Sequence, residues 1–253
     1  MIQSVDRAIR IMGALQGARS LGLSEIAGQL ELPASTVHGL IRTLAVHGMI
    51  EQEPDSGRYR LGPAVLRLGN VYLDTLELRA RTTTWSEELA RRTGCAVRTG
   101  VLMGSDVIII HHEPRPDGSR QMPEVGIVIP AHASALGKAM LAFRPIDAAR
   151  LLATPELRAM TGETIVEASK LEKELEAVLA TGIATESDEA VLGESGLAAA
   201  IFDAAGRSIG AVGVVAPTTD WPLPDSVTDD LRESARNISR ELGSTRWPVP
   251  PSS

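Results

Sequence analysis

At 253 residues, 43% of them apolar and 23% charged, the chain can bury a sizeable core and has room for two domains, which excludes a disordered protein. A single cysteine, Cys95, excludes an internal disulfide framework, no apolar run approaches a membrane span, and the start lacks a secretory leader's pattern, so a cytoplasmic setting is expected. The net charge of -7 argues against a nucleic-acid binder until it is divided along the chain: residues 1–65 hold six arginines against six acids, and the remaining 19 basic and 26 acidic residues carry the whole deficit.

The first stretch, SVDRAIRIMGAL, sets Val5, Ala8, Ile9, Met12 and Leu15 at helical intervals, with Ser4 as the expected cap and Asp6 in the first turn. After GARSLGL, the segment SEIAGQL places Ile26 and Leu30 on one face of a short second helix. ELP turns the chain, and Pro33 opens a third helix that runs to about His47. Within it Val37, Leu40, Ile41 and Leu44 gather on one face, while Ser35, His38, Gly39 and Arg42 share the other. A glycine inside a helix costs about 1 kcal/mol relative to alanine. Gly39 points away from the core, so its reason lies in whatever the helix meets.

GMIEQEPDSGRYRLG then reads as two short strands around a DSG turn, a wing. Three helices, a tight turn before the third and a hairpin make the winged helix-turn-helix plan, whose third helix enters the major groove. On that plan Ser35, Thr36, His38, Gly39 and Arg42 face DNA, and Arg58, Tyr59 and Arg60 sit on the wing near phosphates.

From Pro63, helical spacing continues as one or two linker helices, with an interruption expected around Gly69 and Asn70. Beyond Gly94 the pattern turns to β: AVRTGVLM, a GSD turn and VIIIHHE pair as strands. HASALGKAMLAF and SKLEKELEAVLATG read as helices, GIATES as a strand, and GLAAAIFDAAGRSIGAVGVVA as a hairpin turning at Asp203 to Gly206. LPDSVTDDLRESARNISREL closes the domain as an amphipathic helix, and RWPVPPSS is a loose tail. The expected class is α+β, with the DNA-binding domain at 1–63, a linker helix at 64–80, a mixed domain at 81–247 and the tail at 248–253.

The stretches SVDRAIRIM, GLSEIAGQLELPASTVHGLIRTLAVHGMIEQEPDSGRYRLGPAVLRLG, PAHASALGKAMLAF and GLAAAIFDAAGRSIGAVGVVAP, in that order, resemble the IclR family of bacterial transcriptional regulators over nearly the whole chain. GLIRTL, YLDTLELRAR and HHEPRPDGSRQ look most like the actinobacterial glycerol-operon subgroup, which tends to share the glycine at position 39 where most relatives carry arginine. The resemblance implies a GAF-like α/β domain that binds a small metabolite, and a dimer or tetramer on operator DNA. It also implies an effector site. Ala135, Leu136 and Gly137 match a loop whose amides can receive an anion. Glu186 stands where relatives that bind small keto acids use a carboxylate, while Gly196 replaces their cysteine and Gly213 and Val215 replace two serines. Three polar contacts to a keto acid are thereby missing, and the subgroup implies glycerol 3-phosphate instead, with Arg98, Arg115, Arg120 and Lys138 as candidates for its phosphate.

Other readings compete. His111, His112 and Glu113 with His132 invite a metal site, but neighbours on a strand point to opposite faces and chelate one ion poorly. GESG lacks the second glycine of a nucleophile elbow, and GRSIGAVG sits in a hairpin, not between strand and helix. The expected protein is a repressor released by its ligand, with no enzymatic activity, cofactor or metal. A regulator of aromatic or organic-acid catabolism and a metal sensor are the alternatives.

Overall fold

A computed structural model describes residues 1–119 and 121–247, and the chain divides into two compact units between Thr75 and Leu76. The expected tail at 248–253 lies outside the described residues.

The first unit holds α1 (Gln3–Gln16), α2 (Leu23–Leu30), α3 (Ala34–Val46), a hairpin of β1 (Ile50–Gln52) and β2 (Tyr59–Leu61), and α4 (Pro63–Thr75). Ile11, Leu15, Ile26, Leu30, Val37, Ile41, Ile50 and Tyr59 form its core. Helix α1 begins before Ser4, which lies inside the helix and caps nothing; Ile2 holds the cap position. The buried stripe of α1 also departs from the expected one. Ile11 and Leu15 turn inward, whereas Val5 and Ile9 stay 53% and 63% exposed, because α2 and α3 cover only one flank of this helix. Glu31, in the left-handed conformation at φ 54°, ends α2 by giving its N–H to the carbonyls of Ala27 and Gly28, and this makes the tight turn into α3. Helix α4 continues through Gly69 and Asn70, where the interruption was expected. The break falls instead at Leu76, whose backbone is extended. An exposed helix tolerates the modest cost of a glycine, while the break lets the next helix start afresh with Leu78 buried.

The second unit runs α5 (Glu77–Thr93), β3 (Ala96–Met103), β4 (Asp106–Glu113), β5 (Val128–Pro130), α6 (Ala135–Ala142), α7 (Pro145–Leu152), α8 (Ala168–Thr181), β6 (Ala184–Ser187), β7 (Glu194–Phe202), β8 (Ser208–Pro217) and α9 (Asp225–Glu241). Its strands pair antiparallel in the order β5-β4-β3-β8-β7-β6. Helices α5 and α9 pack on one face, and α6 with α7 and α8 covers the other. Gly210 lies under Leu78 of α5 and Gly213 under Leu136 of α6, an odd spacing along β8 that puts the two helices on opposite faces. Strand β7 is buried on both faces, which explains why GLAAAIF is a run of small apolar residues and not an alternation. Strand β5, helix α7 and 3₁₀ turns at Ala131–Ala133 and Thr218–Asp220 add to the expected elements; three to eight residues are too few to carry a clear period. The hairpin turns at Asp203 to Gly206, as expected, with Gly206 at φ 74°. Cys95 is buried, and burial pushes its thiol up.

Candidate DNA-reading face and effector cavity

In the first unit, the packing of Val37 and Ile41 leaves Ser35, His38, Gly39 and Arg42 exposed and Thr36 half-buried on the outer face of α3. Arg42 makes no ion pair or side-chain hydrogen bond among the described residues. A Cβ built on Gly39 would meet nothing within 4 Å, so the fold itself does not require a glycine here. Thr43 donates to the Gly39 carbonyl at 3.1 Å, which leaves the helix path undisturbed.

The wing differs from expectation at Tyr59. Its side chain is turned into the core, 9% exposed, and its backbone exchanges two hydrogen bonds with Leu21, so the ring cannot lie on the outer surface of the wing. The period of two along β2 demands this: Arg58 and Arg60 flank Tyr59 and take the opposite face. Both arginines are engaged within the unit. Arg60 pairs with Glu51 at 2.6 Å, directly across the hairpin. Arg58 pairs with Glu25 at 2.7 Å and donates to the Ser20 carbonyl at 3.0 Å. The Glu25 carboxylate also receives the Gly22 amide at 2.6 Å, and that amide, with Arg58, holds it below the usual carboxylate range. The wing is thus tied to the start of α2 by one carboxylate.

In the second unit, the sheet register assembles the effector candidates. Glu186, Gly196 and Val215 stand side by side on β6, β7 and β8, and Gly213 lies opposite Arg98 on β3, two residues further along the same face. Ala135 and Leu136 of α6 close over them, enclosing a space of about 10 Å³ that Arg98, Glu186, Gly196, Gly213 and Val215 also line. The glycines are a floor. A Cβ on Gly213 would meet the Leu197 carbonyl at 2.7 Å and the Leu136 side chain at 3.3 Å, so a serine does not fit this backbone. Glu186 is 8% exposed and its Oε2 has no partner. Burial raises its pKa to about 7, against the pull of Arg98 and Lys138.

Two expected residues lie apart from this group. Gly137 packs against Ala131, and its amide is taken at 3.1 Å by Ser134, the cap of α6, so it offers no donor to an anion. Lys138 is fully buried and pairs with Glu189 at 2.7 Å and Glu174 at 3.6 Å, so its charge is already met by two carboxylates. Arg120 lies outside the described residues.

On the other side of Arg98 a second cavity, of about 360 Å³, is lined by Arg115, Gln121, Met122, Glu124, Gly193 and Glu194 among others, and it shares Arg98 and Val215 with the first. Arg98 is 8% exposed. It binds Glu124 through Nε and at 2.8 Å through a terminal nitrogen, which also reaches Glu194 at 3.0 Å. Burial works against this charge, but the two carboxylates outweigh it and raise the guanidinium above its usual value. The sequence pattern does not single out Glu124 and Glu194, because each lies in a turn or at a strand end and reaches Arg98 only through the fold. His112 lies 3.8 Å from Glu124, and burial pushes it and His111 toward the neutral form. No group of three or more metal-ligating side chains occurs among the described residues.

Residues 4–54 match the family described as IclR helix-turn-helix domain, and residues 70–240 match bacterial transcriptional regulator IclR C-terminal. The chain is 42% identical to the glycerol operon regulatory protein of Streptomyces griseus over 97% of its own length and 98% of that protein. It is 40% identical to the protein of the same name from Streptomyces coelicolor, with the same coverage. A crystal structure of an IclR transcriptional regulator from Silicibacter sp. TM1040 superposes with a TM-score of 0.82 at 25% identity, covering 98% of this chain and 100% of that one. No helix among the described residues is long and apolar enough to cross a membrane.

Proposed function

The chain belongs to the IclR family of bacterial transcriptional regulators, and from that premise we propose that it is a cytoplasmic repressor of glycerol or related carbon metabolism, released from its operator by glycerol 3-phosphate. The observation that carries this reading is the 42% identity, over nearly the full length of both chains, to a glycerol operon regulatory protein. The outer face of α3, with Ser35, Thr36, His38, Gly39 and Arg42, enters the major groove, and Arg58 and Arg60 reach phosphates by exchanging Glu25 and Glu51 for them.

The operator is pseudo-palindromic and the protein binds it as a homodimer or homotetramer. Val5 and Ile9 on α1, and Leu66, Val71 and Tyr72 on α4, are exposed apolar side chains, and a second copy covers them. Effector binding works by differential affinity: the ligand favours the arrangement of the two DNA-reading units that fits the operator less well. The protein has no catalytic role and needs no metal.

Fluorescence anisotropy on DNA from upstream of the gene, at fixed salt, tests this reading. Tight sequence-specific binding weakened by glycerol 3-phosphate is expected. Specific binding indifferent to that ligand would discard the glycerol assignment and point to an aromatic or organic-acid effector.

A further inference from the structure

The carboxylates around Arg98 outnumber its charge. One guanidinium is shared by Glu124 and Glu194 in a cavity wall where Glu186 presents an unpartnered carboxyl oxygen on the inner side. A buried arginine stripped of its partner leaves an uncompensated charge, whereas exchanging one anion for another keeps the pair intact. Of its two partners, Glu124 supplies the two-pronged contact, and it lies on the irregular segment between β4 and β5, at the rim of the 360 Å³ cavity. Its carboxylate can turn to water when another oxyanion takes its place. Arg115 lies on the same wall, half-buried, its nearest acid 3.8 Å away, and adds positive charge beside the entrance.

We propose that Arg98 is the anion anchor of the effector site and that Glu124 is its built-in competitor, displaced by a small oxyanion that also carries hydroxyl groups. The oxyanion takes the forked contact that Glu124 makes, since carboxylate and phosphate present the same paired oxygens to a guanidinium. A hydroxyl of the ligand then donates to Oε2 of Glu186, across the wall that Arg98 shares between the two cavities. Arg98 and Glu186 stand three strand intervals and two residues apart on one sheet face, on the order of 16 Å between backbones, and both side chains reach inward over the glycine floor. Lys138, saturated by Glu189 and Glu174, is not the anchor. The inference rests on the proposed reading of this unit as an effector receptor, and it deepens that reading by naming the residue that anchors the ligand's anion and the residue that must yield.

Isothermal titration calorimetry of the full-length protein with glycerol 3-phosphate, glycerate, inorganic phosphate and glycerol tests it. Glu124→Gln removes the competing charge while keeping the shape, and is expected to tighten binding of the oxyanions by about tenfold. A gain of affinity cannot come from a misfolded variant. Glu186→Gln is expected to narrow the preference for glycerol 3-phosphate over inorganic phosphate, and glycerol alone is expected to give no heat in any variant. Preference for glycerol 3-phosphate over glycerate assigns a phosphate ester, and the reverse a hydroxy acid. Unchanged or weaker oxyanion binding by Glu124→Gln, or undiminished binding by Arg98→Lys, overturns the anchor. Operator release by glycerol 3-phosphate, followed on the wild-type protein in parallel, keeps the two ideas apart. Release without any gain in Glu124→Gln overturns the anchor and leaves the repressor reading standing, and a gain without release does the opposite.

Discussion

Gly39→Ala separates what α3 needs for folding from what it needs for DNA. The added Cβ points into open space, with no atom within 4 Å, and the position lies in the middle of a 13-residue helix. Nothing in the unit opposes the methyl group, so the substitution recovers the helix penalty of glycine, about 0.5–1 kcal/mol. For a unit of this size that is a rise of roughly 2–8 °C in its melting temperature. On operator DNA the sign reverses. If the backbone of α3 approaches the groove at this residue, a methyl group there disturbs the fit and costs about 1–3 kcal/mol, the range of one mismatched base pair. Calorimetric melting of the full-length protein, resolved into its transitions, gives the first number, and anisotropy on operator and random DNA gives the second. A variant that melts lower refutes the claim that the fold does not need this glycine. One that melts higher and binds the operator with unchanged affinity places Gly39 away from DNA.

Arg42→Ala is expected to weaken operator binding by about 1–3 kcal/mol with little change on random DNA; equal losses on both would assign Arg42 to phosphate. Replacing Glu25 by glutamine frees Arg58 from its ion pair, and random-DNA affinity is expected to rise and to depend more steeply on salt, by about one counterion. A salt slope identical to the wild type's would leave Arg58 bound to the protein when DNA is present. Gly213→Ser forces a Cβ within 2.7 Å of the Leu197 carbonyl and is expected to lower the stability of the second unit by about 1–3 kcal/mol; an unaltered melt sinks the close-packed floor. Glu186, at a pKa of about 7 when folded against 4.5 as a free side chain, holds a proton that the unfolded chain has lost across that window, so its contribution to stability falls as pH rises from 4.5 to 7. Denaturant titrations of Glu186→Gln and wild type at pH 5 and pH 8 are expected to show the variant gaining up to about 3 kcal/mol relative to wild type at the higher pH. The buried histidines are pushed the other way and act in both proteins alike, so they cancel in the difference. A constant gap between the two proteins would contradict a buried, protonated Glu186.

Periodicity alone reaches α2, α3, the wing, the β3–β4 pair, the long β7–β8 hairpin and α9, because each spans enough residues for its period, or carries enough turn chemistry, to be read locally. The outer face of α3 is legible for the same reason: five neighbours on one helix have their directions set by the helix itself. What the sequence cannot settle is which side of an amphipathic segment finds a partner. On α1, Ile11 and Leu15 are buried while Val5 and Ile9 are not, a choice made by the placement of α2 and α3. Tyr59 stands between two arginines and looks like part of a DNA-facing wing, yet β2 must turn one side of its three residues to the core, and the bridge to Leu21 decides which. The candidate effector cavity is the least local feature of the molecule. Arg98 meets Glu124 and Glu194 across 26 and 96 residues, and Glu186 joins the same sheet face from an edge strand. Residue type marks Arg98 and Glu186 as candidates, but only the strand order β3-β8-β7-β6 brings those two onto one face, and only the irregular segment between β4 and β5 carries Glu124 to Arg98, since pairing across a sheet depends on register and not on distance along the chain.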